Sequence, residues 1–291
     1  MLHTIQNECL SVTVDELGAQ LWSIRTSDGT QVLWQGDARY WADRALTIFP
    51  YVARLWQGQY ELDGQTYSMP IHGFAPGSMF VLTEKTDTRL VLELTDSEET
   101  LAQYPRRFAL RMIYALEGDT LSVTHEVENR DKMPMYFGLG GHPGFNVPLE
   151  AGKAFTDYRL RFGEACAPVR VGFSADCFVN GEDVPFALEE GRILPLAHDL
   201  FDEDAIVLAG MAREVTLEAP GSTRSVTVSY PDMPYLGIWH WPKTDAPYVC
   251  IEPWASLPAR QGQKTIFEQQ EDLICLEAGR IYRNRWTVKI R

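Results

Sequence analysis

The sequence is short of positive charge: 26 Lys plus Arg stand against 40 Asp plus Glu, a formal net charge of −14. A nucleic-acid groove or an anionic membrane surface needs clustered basic side chains, so neither is an expected partner. Paired cysteine is also missing. Cys9, Cys166, Cys177, Cys250 and Cys275 are an odd number without CxxC spacing, which reads as free thiols in a reducing compartment rather than a disulfide framework or a zinc site. No apolar run is long enough to span a bilayer. The start, "MLHTIQNECLSVTVDELG", lacks the basic segment and apolar core of a secretory signal. The expectation is a soluble cytoplasmic protein. Helical periodicity is scarce, and neither HExxH nor GxSxG occurs.

What is present is alternation. In "FALRMIYAL" Phe108, Leu110, Met112, Tyr114 and Leu116 share one strand face, and in "TLSVTHEVEN" so do Leu121, Val123, His125 and Val127. Tyr282, Trp286, Val288 and Ile290 alternate with cations near the end. Asp63-Gly64 and "EGD" before residue 120 mark hairpins. The best helical stretch is "TDSEETLAQY", where Thr95 and Glu98 form a candidate capping box. Many strands with few short helices predict an all-β fold, a large antiparallel sandwich or barrel. The acidic, Pro/Gly-punctuated stretch "VNGEDVPFALEEGRILPLAHDLFDEDA" reads as long connections over one face, because strand patterns resume after it. The 291 residues are therefore expected to form one domain spanning 1–291.

Three segments join turn residues to a titratable side chain: "PIHGFAPG" with His72, "GGHPGFNVP" with His142 and "CIEPWASLP" with Glu252. The glycines and prolines around His142 read as a rigid loop that presents the imidazole to a cleft, with Phe145 packed beneath. Glu252 follows the apolar run "YVCI", and a carboxylate on such a strand needs a partner or a cleft. Arg54 is one candidate partner. His72, His142 and Glu252 are alternatively a three-ligand set for a catalytic zinc, a minority reading without a close-spaced pair on a helix. Aromatics crowd these segments: Trp56, Phe74, Phe80, Phe145, Trp239, Trp241 and Trp254. Aromatic planes beside His, Asp, Glu and Arg suit a neutral sugar, whose C–H faces stack while its hydroxyls are gripped.

"FPYVARLWQGQYELDGQTYSMPIHGF", "GGHPGFNVPL" and "YVCIEPWASLP", in this order, resemble the motif series of the aldose 1-epimerase (galactose mutarotase-like) family, and within it the LacX-like branch. The resemblance runs from about residue 10 to the C-terminus. It implies a β-sandwich of the supersandwich type with a sugar cleft and no cofactor or metal. By the same resemblance Glu252 is the general base, His142 the general acid, and His72 a second imidazole beside the ring oxygen. Arg54 belongs to the substrate cleft, and an aspartate that grips hydroxyls falls at Asp204, with Asp202 as the alternative. Trp239 is taken as a sugar contact. One departure stands out: many LacX-like sequences follow HGFA with Arg-Asp, where this chain has Pro76 and Gly77. With Arg54 as the only cation in the three segments, a free aldose is expected over a hexose phosphate, unless Arg106, Arg107 or Arg260 reaches the rim. For the chemistry, a carboxylate with an ordinary pKa near ~4.3 is ionised at neutral pH, and nearby carboxylates are expected to keep His142 partly protonated.

Overall fold

Both hairpins form where the turn residues place them. Gln59–Leu62 and Gln65–Ser68 pair around Asp63-Gly64, two residues with φ of 51° and 72°, the mirror-image turn whose twist suits a tight hairpin. Phe108–Glu117 and Thr120–Asn129 pair with Glu117 opposite Thr120, around Gly118 at φ 54°. The helix differs in detail from the sequence reading. It spans Glu98–Gln103, and its capping box is Ser97 with Thr100, not Thr95 with Glu98. Ser97 accepts from the Thr100 amide at 3.2 Å while the Thr100 hydroxyl accepts from the Ser97 amide at 2.8 Å. Two short side chains satisfy the helix start from both sides.

The computed structural model describes residues 1–291. Two antiparallel sheets dominate it. A nine-stranded sheet runs, edge to edge, from Ile193–Pro195 through Arg159–Phe162, Glu214–Glu218, Ser225–Ser229, Ile281–Ile290, Thr120–Asn129, Phe108–Glu117 and Arg89–Thr95 to Val81–Lys85. A seven-stranded sheet runs from Val184–Pro185 through Val169–Arg170, Ile206–Ala209, Tyr235–Trp239, Tyr248–Trp254 and Gly140–Asn146 to Ala45–Ile48. The fold is thus all-β and antiparallel, as the alternation predicted, and of its two alternatives it is the sandwich that the family resemblance implied. Its main core is a continuous cluster of 66 buried residues drawn from both sheets. His125 lies inside this core, fully buried, as its place on the apolar face suggested.

The strands at the middle of the seven-stranded sheet are buried on both sides. All seven residues of Tyr248–Trp254 are buried, as are six of the seven in Gly140–Asn146. Strands covered on both faces read as continuous apolar runs rather than alternating ones. "YVCI" fits that pattern. "GGHPGFN" also forms a strand, which corrects the expected loop.

Its glycines are there for space, not for turning. None of Gly140, Gly141 and Gly144 has a positive φ. A Cβ on Gly141 would stand 2.7 Å from the Trp286 ring of the opposite sheet. One on Gly140 would stand 2.7 Å from the Pro253 carbonyl and 2.9 Å from the Trp254 indole. The strand is pressed from both faces, and only hydrogen fits where neighbours approach so closely.

Candidate active site

The antiparallel register that pairs Gly140 with Trp254 and Gly144 with Cys250 sets His142 directly opposite Glu252. Facing residues on neighbouring strands hold their side chains within contact, and His142 Nε2 lies 3.3 Å from Glu252 Oε2. Two motifs far apart in sequence therefore deliver one pair of titratable side chains in contact. Pro143 and Pro253 have no N–H to donate, so the ladder opens beside this pair. Arg54 is not the partner of Glu252: it is exposed on the cleft wall, and the basic neighbour of Glu252 is His142.

The imidazole of His142 is walled by aromatic rings. Trp41 lies tilted at 4.7 Å between centroids, Trp239 meets it edge-on at 5.6 Å, and His72 meets it edge-on at 5.4 Å. His142 Nδ1, Glu252 Oε2 and Trp254 Nε1 are buried without a protein hydrogen-bond partner of good geometry. Polar atoms left like this cost free energy unless something entering the cleft completes them.

Burial decides the protonation of the pair, against the sequence expectation. It pushes Glu252 well above the usual carboxylate range, with the nearby Asp204 charge adding to the effect. It pushes His142 well below the usual imidazole value, reinforced by His72. His72 is itself lowered to about 4 by burial and then by the Arg54 guanidinium. The surrounding carboxylates do not outweigh the loss of water. Both shifts favour a proton on the carboxylate side of the pair over one on the imidazole.

The pair lies at the floor of a cleft of about 570 Å³ that is also lined by Arg54, His72, Asp204 and Trp239. All six site residues expected from sequence come together there. Their backbones differ in kind. His72 stands in a turn with φ 64° and its Nδ1 accepts from the Ala53 amide at 3.3 Å. Asp204 has φ 75° in the loop before Ile206–Ala209, where its Oδ1 accepts from the Ala205 amide at 2.8 Å. Asp202 is exposed and borders a separate depression with His198 and Asp199, so Asp204 is the aspartate at the cleft.

Not all of the aromatics in and near the motif segments line the cleft. Phe74, Phe80 and Phe145 belong to the main core, Phe145 packed inside as expected. Trp56 borders an adjoining depression, packed edge-on to Phe178 at 4.9 Å. Arg106 is buried against Asp63, and Arg260 lines a different cavity beside Lys264. Arg54 is the one Lys or Arg of the cleft, which also carries the carboxylates Asp43, Glu203, Asp204 and Glu252. Sequence reasoning missed Trp41, Asp43, Phe173 and Cys177. Trp41 sits in "ARYWADR", where neither alternation nor turn residues single it out.

The zinc set changes as well. The residues whose ligand atoms converge within 4.8 Å are His142, Cys250 and Glu252, without His72. Burial and the Glu252 charge hold the Cys250 thiol well above its ordinary value. A zinc ligand must be a thiolate, so a zinc ion at these donors would have to displace that proton.

This architecture defines a β-sandwich with a buried histidine–glutamate pair in an aromatic cleft. The family pattern described as aldose 1-epimerase matches residues 1–285. The protein LacX (chromosomal) of Lactococcus lactis subsp. lactis is 32% identical over 276 residues, 91% of each chain. Among solved structures, a galactose mutarotase-like protein from Lactobacillus casei is 33% identical, with a TM-score of 0.94 and full coverage of both chains. A galactose mutarotase related enzyme from Lactobacillus acidophilus is 29% identical with a TM-score of 0.95, over 100% of this chain and 97% of that one. The chain belongs to the aldose 1-epimerase family.

Proposed function

We propose that the protein is a mutarotase that interconverts the α and β anomers of a free aldose by opening and reclosing the ring. The observation that carries this reading is the buried His142–Glu252 pair, 3.3 Å apart, with unspent hydrogen-bonding capacity facing a cleft. Both oxygens that exchange protons in the reaction are bonded to one anomeric carbon, so the acid and the base must stand close together.

The pair needs one proton. Glu252 takes the proton of the anomeric hydroxyl while His142 gives one to the ring oxygen. The C–O bond of the ring breaks as the aldehyde forms. Rotation about the bond to the aldehyde carbon exposes its other face, and closure runs the two transfers backwards. The proton count on the pair is unchanged at each stage. For Glu252 to act as base, the proton that burial draws toward it passes to His142 when sugar hydroxyls hydrogen-bond the carboxylate. A charge-separated pair is favoured by such hydrogen bonds to its ionised form. His72 approaches the ring-oxygen side, Asp204 and Arg54 grip hydroxyls, and Trp239 lies along a C–H face.

The cleft favours a neutral sugar. One arginine among four carboxylates leaves little to hold a phosphate, which calls for convergent cations or a helix N-terminus. The test is polarimetry of freshly dissolved α-glucose, α-galactose and glucose 6-phosphate, with and without exhaustive chelation. Catalysed relaxation of the free aldoses is expected, unchanged by chelation. No acceleration of any aldose refutes the activity. An efficiency about tenfold higher on the phosphate ester, falling steeply as salt rises, refutes the neutral-sugar preference alone.

A further inference from the structure

Asp204 does not hold its place by itself. Its Oδ1 is engaged by the Ala205 amide, and its Oδ2 lies 3.2 Å from Cys177 Sγ. Cys177 comes from a different part of the chain, a tight loop pinned at both ends. Phe173 and Val179 bridge across it. The Ser174 amide donates to the Phe178 carbonyl at 2.8 Å, and the Cys177 amide donates to the Ser174 carbonyl at 2.9 Å. The price of the loop is Cys177 itself at φ 64°, a conformation that residues other than glycine, asparagine and aspartate seldom adopt. Asp204 opposite it is also left-handed, at φ 75°. A strained cysteine and a left-handed aspartate meet in one side-chain contact on the cleft wall, and strain such as that at Cys177 persists where surrounding structure enforces it.

We infer that Cys177 is a positioning residue for sugar recognition: its S–H donates to Asp204 Oδ2 and aims the remaining lone pairs of that carboxylate at sugar hydroxyls. The inference rests on the role proposed for Asp204. The thiol stays protonated at neutral pH, since burial followed by the Asp204 carboxylate pushes it up to about 11. It is therefore a donor, not a nucleophile. A hydroxyl in the same place donates as well, whereas a methyl group cannot.

The experiment compares Cys177→Ala, Cys177→Ser and each of them combined with Asp204→Ala. Galactose binding is read by the fluorescence of the cleft tryptophans, KM and kcat by polarimetry, and folding by thermal unfolding. Losing one hydrogen bond from a binding carboxylate weakens binding by about three- to tenfold. Cys177→Ala is expected to raise Kd and KM by that factor, with kcat within about twofold of the parent. Cys177→Ser is expected to restore both. In the Asp204→Ala background neither substitution should add a further loss, because the contact they alter is already gone.

Unchanged Kd and KM in Cys177→Ala overturn the inference. So does a serine variant as impaired as the alanine one, or a loss that persists without Asp204, since either result marks a packing role. A parent protein that binds galactose but accelerates neither galactose nor glucose refutes the mutarotase reading and leaves the Cys177 assignment to the binding measurements. A parent that neither binds nor turns over either sugar overturns both.

Discussion

The cleft is built from two kinds of backbone. The chemistry proposed for it stands on strands: His142 and Glu252 face each other across a regular antiparallel register, on residues with ordinary extended conformations. The recognition proposed for it stands on loops: Ala53, His72, Cys177 and Asp204, all lining the cleft, have left-handed φ values between 51° and 75°. The difference suits the demands of each. Proton transfer needs a fixed short distance, and a sheet register supplies it without strain. Sugar recognition needs groups that converge from several directions, and tight turns aim single side chains independently of the sheet.

The largest effect should come from breaking the strand-borne pair. Glu252→Gln keeps the shape but cannot accept a proton, and His142→Asn removes the imidazole. Each is expected to lower kcat by about 10²-fold or more, with sugar binding largely kept. Polarimetric kcat together with a binding titration checks this. Near-normal turnover in Glu252→Gln would remove that residue from the mechanism. A greater loss of saturated turnover in His72→Asn than in His142→Asn would reverse the roles assigned to the imidazoles.

A second break leaves both reacting groups in place and disturbs only the strand that carries one of them. Gly141→Ala puts a methyl group 2.7 Å from Trp286, where neither sheet can retreat without shifting the core. Overpacking of this kind costs about 1–3 kcal/mol. Urea unfolding should show that loss, and kcat should fall because the His142 backbone is adjacent. A variant as stable and as active as the parent would show that the sheets tolerate the displacement.

These expectations also mark what the sequence could reveal. The all-β architecture was legible from alternation and hairpin signals, because period-two burial is local information, but the choice of sandwich over barrel came from the family resemblance. Of the six residues that converge on the cleft, Arg54, His72, His142 and Glu252 lie in the three quoted motifs, while Asp204 and Trp239 lie outside them. "GGHPGFN" was misread, because glycine next to proline signals a turn unless one knows that Trp286 and Trp254 press on the strand from both sides. Protonation was misread for a related reason. A net charge of −14 suggests a protonated histidine, yet the local loss of solvent around His142 outweighs the acidity of the whole chain. Trp41 and Cys177 were missed, because what makes them part of the cleft is a fold-level approach with no local signature.

The loops should respond more gently. Asp204→Asn and His72→Asn each remove part of the grip on the sugar while leaving the Glu252–His142 contact in place. Asp204→Asn is expected to raise KM by about three- to tenfold with a smaller change in kcat. His72→Asn is expected to weaken both, since His72 packs edge-on against His142 at 5.4 Å. If Asp204→Asn instead lowered kcat alone, Asp204 would belong with the reacting groups, and the division between strand and loop would fail.

The smallest effect concerns pH, and it tests whether the pair works as one unit with one proton. Burial lowers His142 below the ordinary imidazole value of 6.5, so its protonation lags behind that of a solvated histidine as pH falls. Burial raises Glu252 above the ordinary 4.5, so it gives up its proton later as pH rises. The two shifts act in opposite senses, and between them lies a range in which the pair keeps one proton. That singly protonated pair is the working form in the proposed mechanism. The acid limb of kcat, where a second proton arrives, should therefore lie below pH 6.5. Turnover should stay within about twofold between pH 7.5 and 6.0, where an ordinary histidine acid would gain most of its charge. A kcat profile that follows a midpoint of 6.5 would mean that His142 titrates as a solvated group, and the shared-proton mechanism would be wrong.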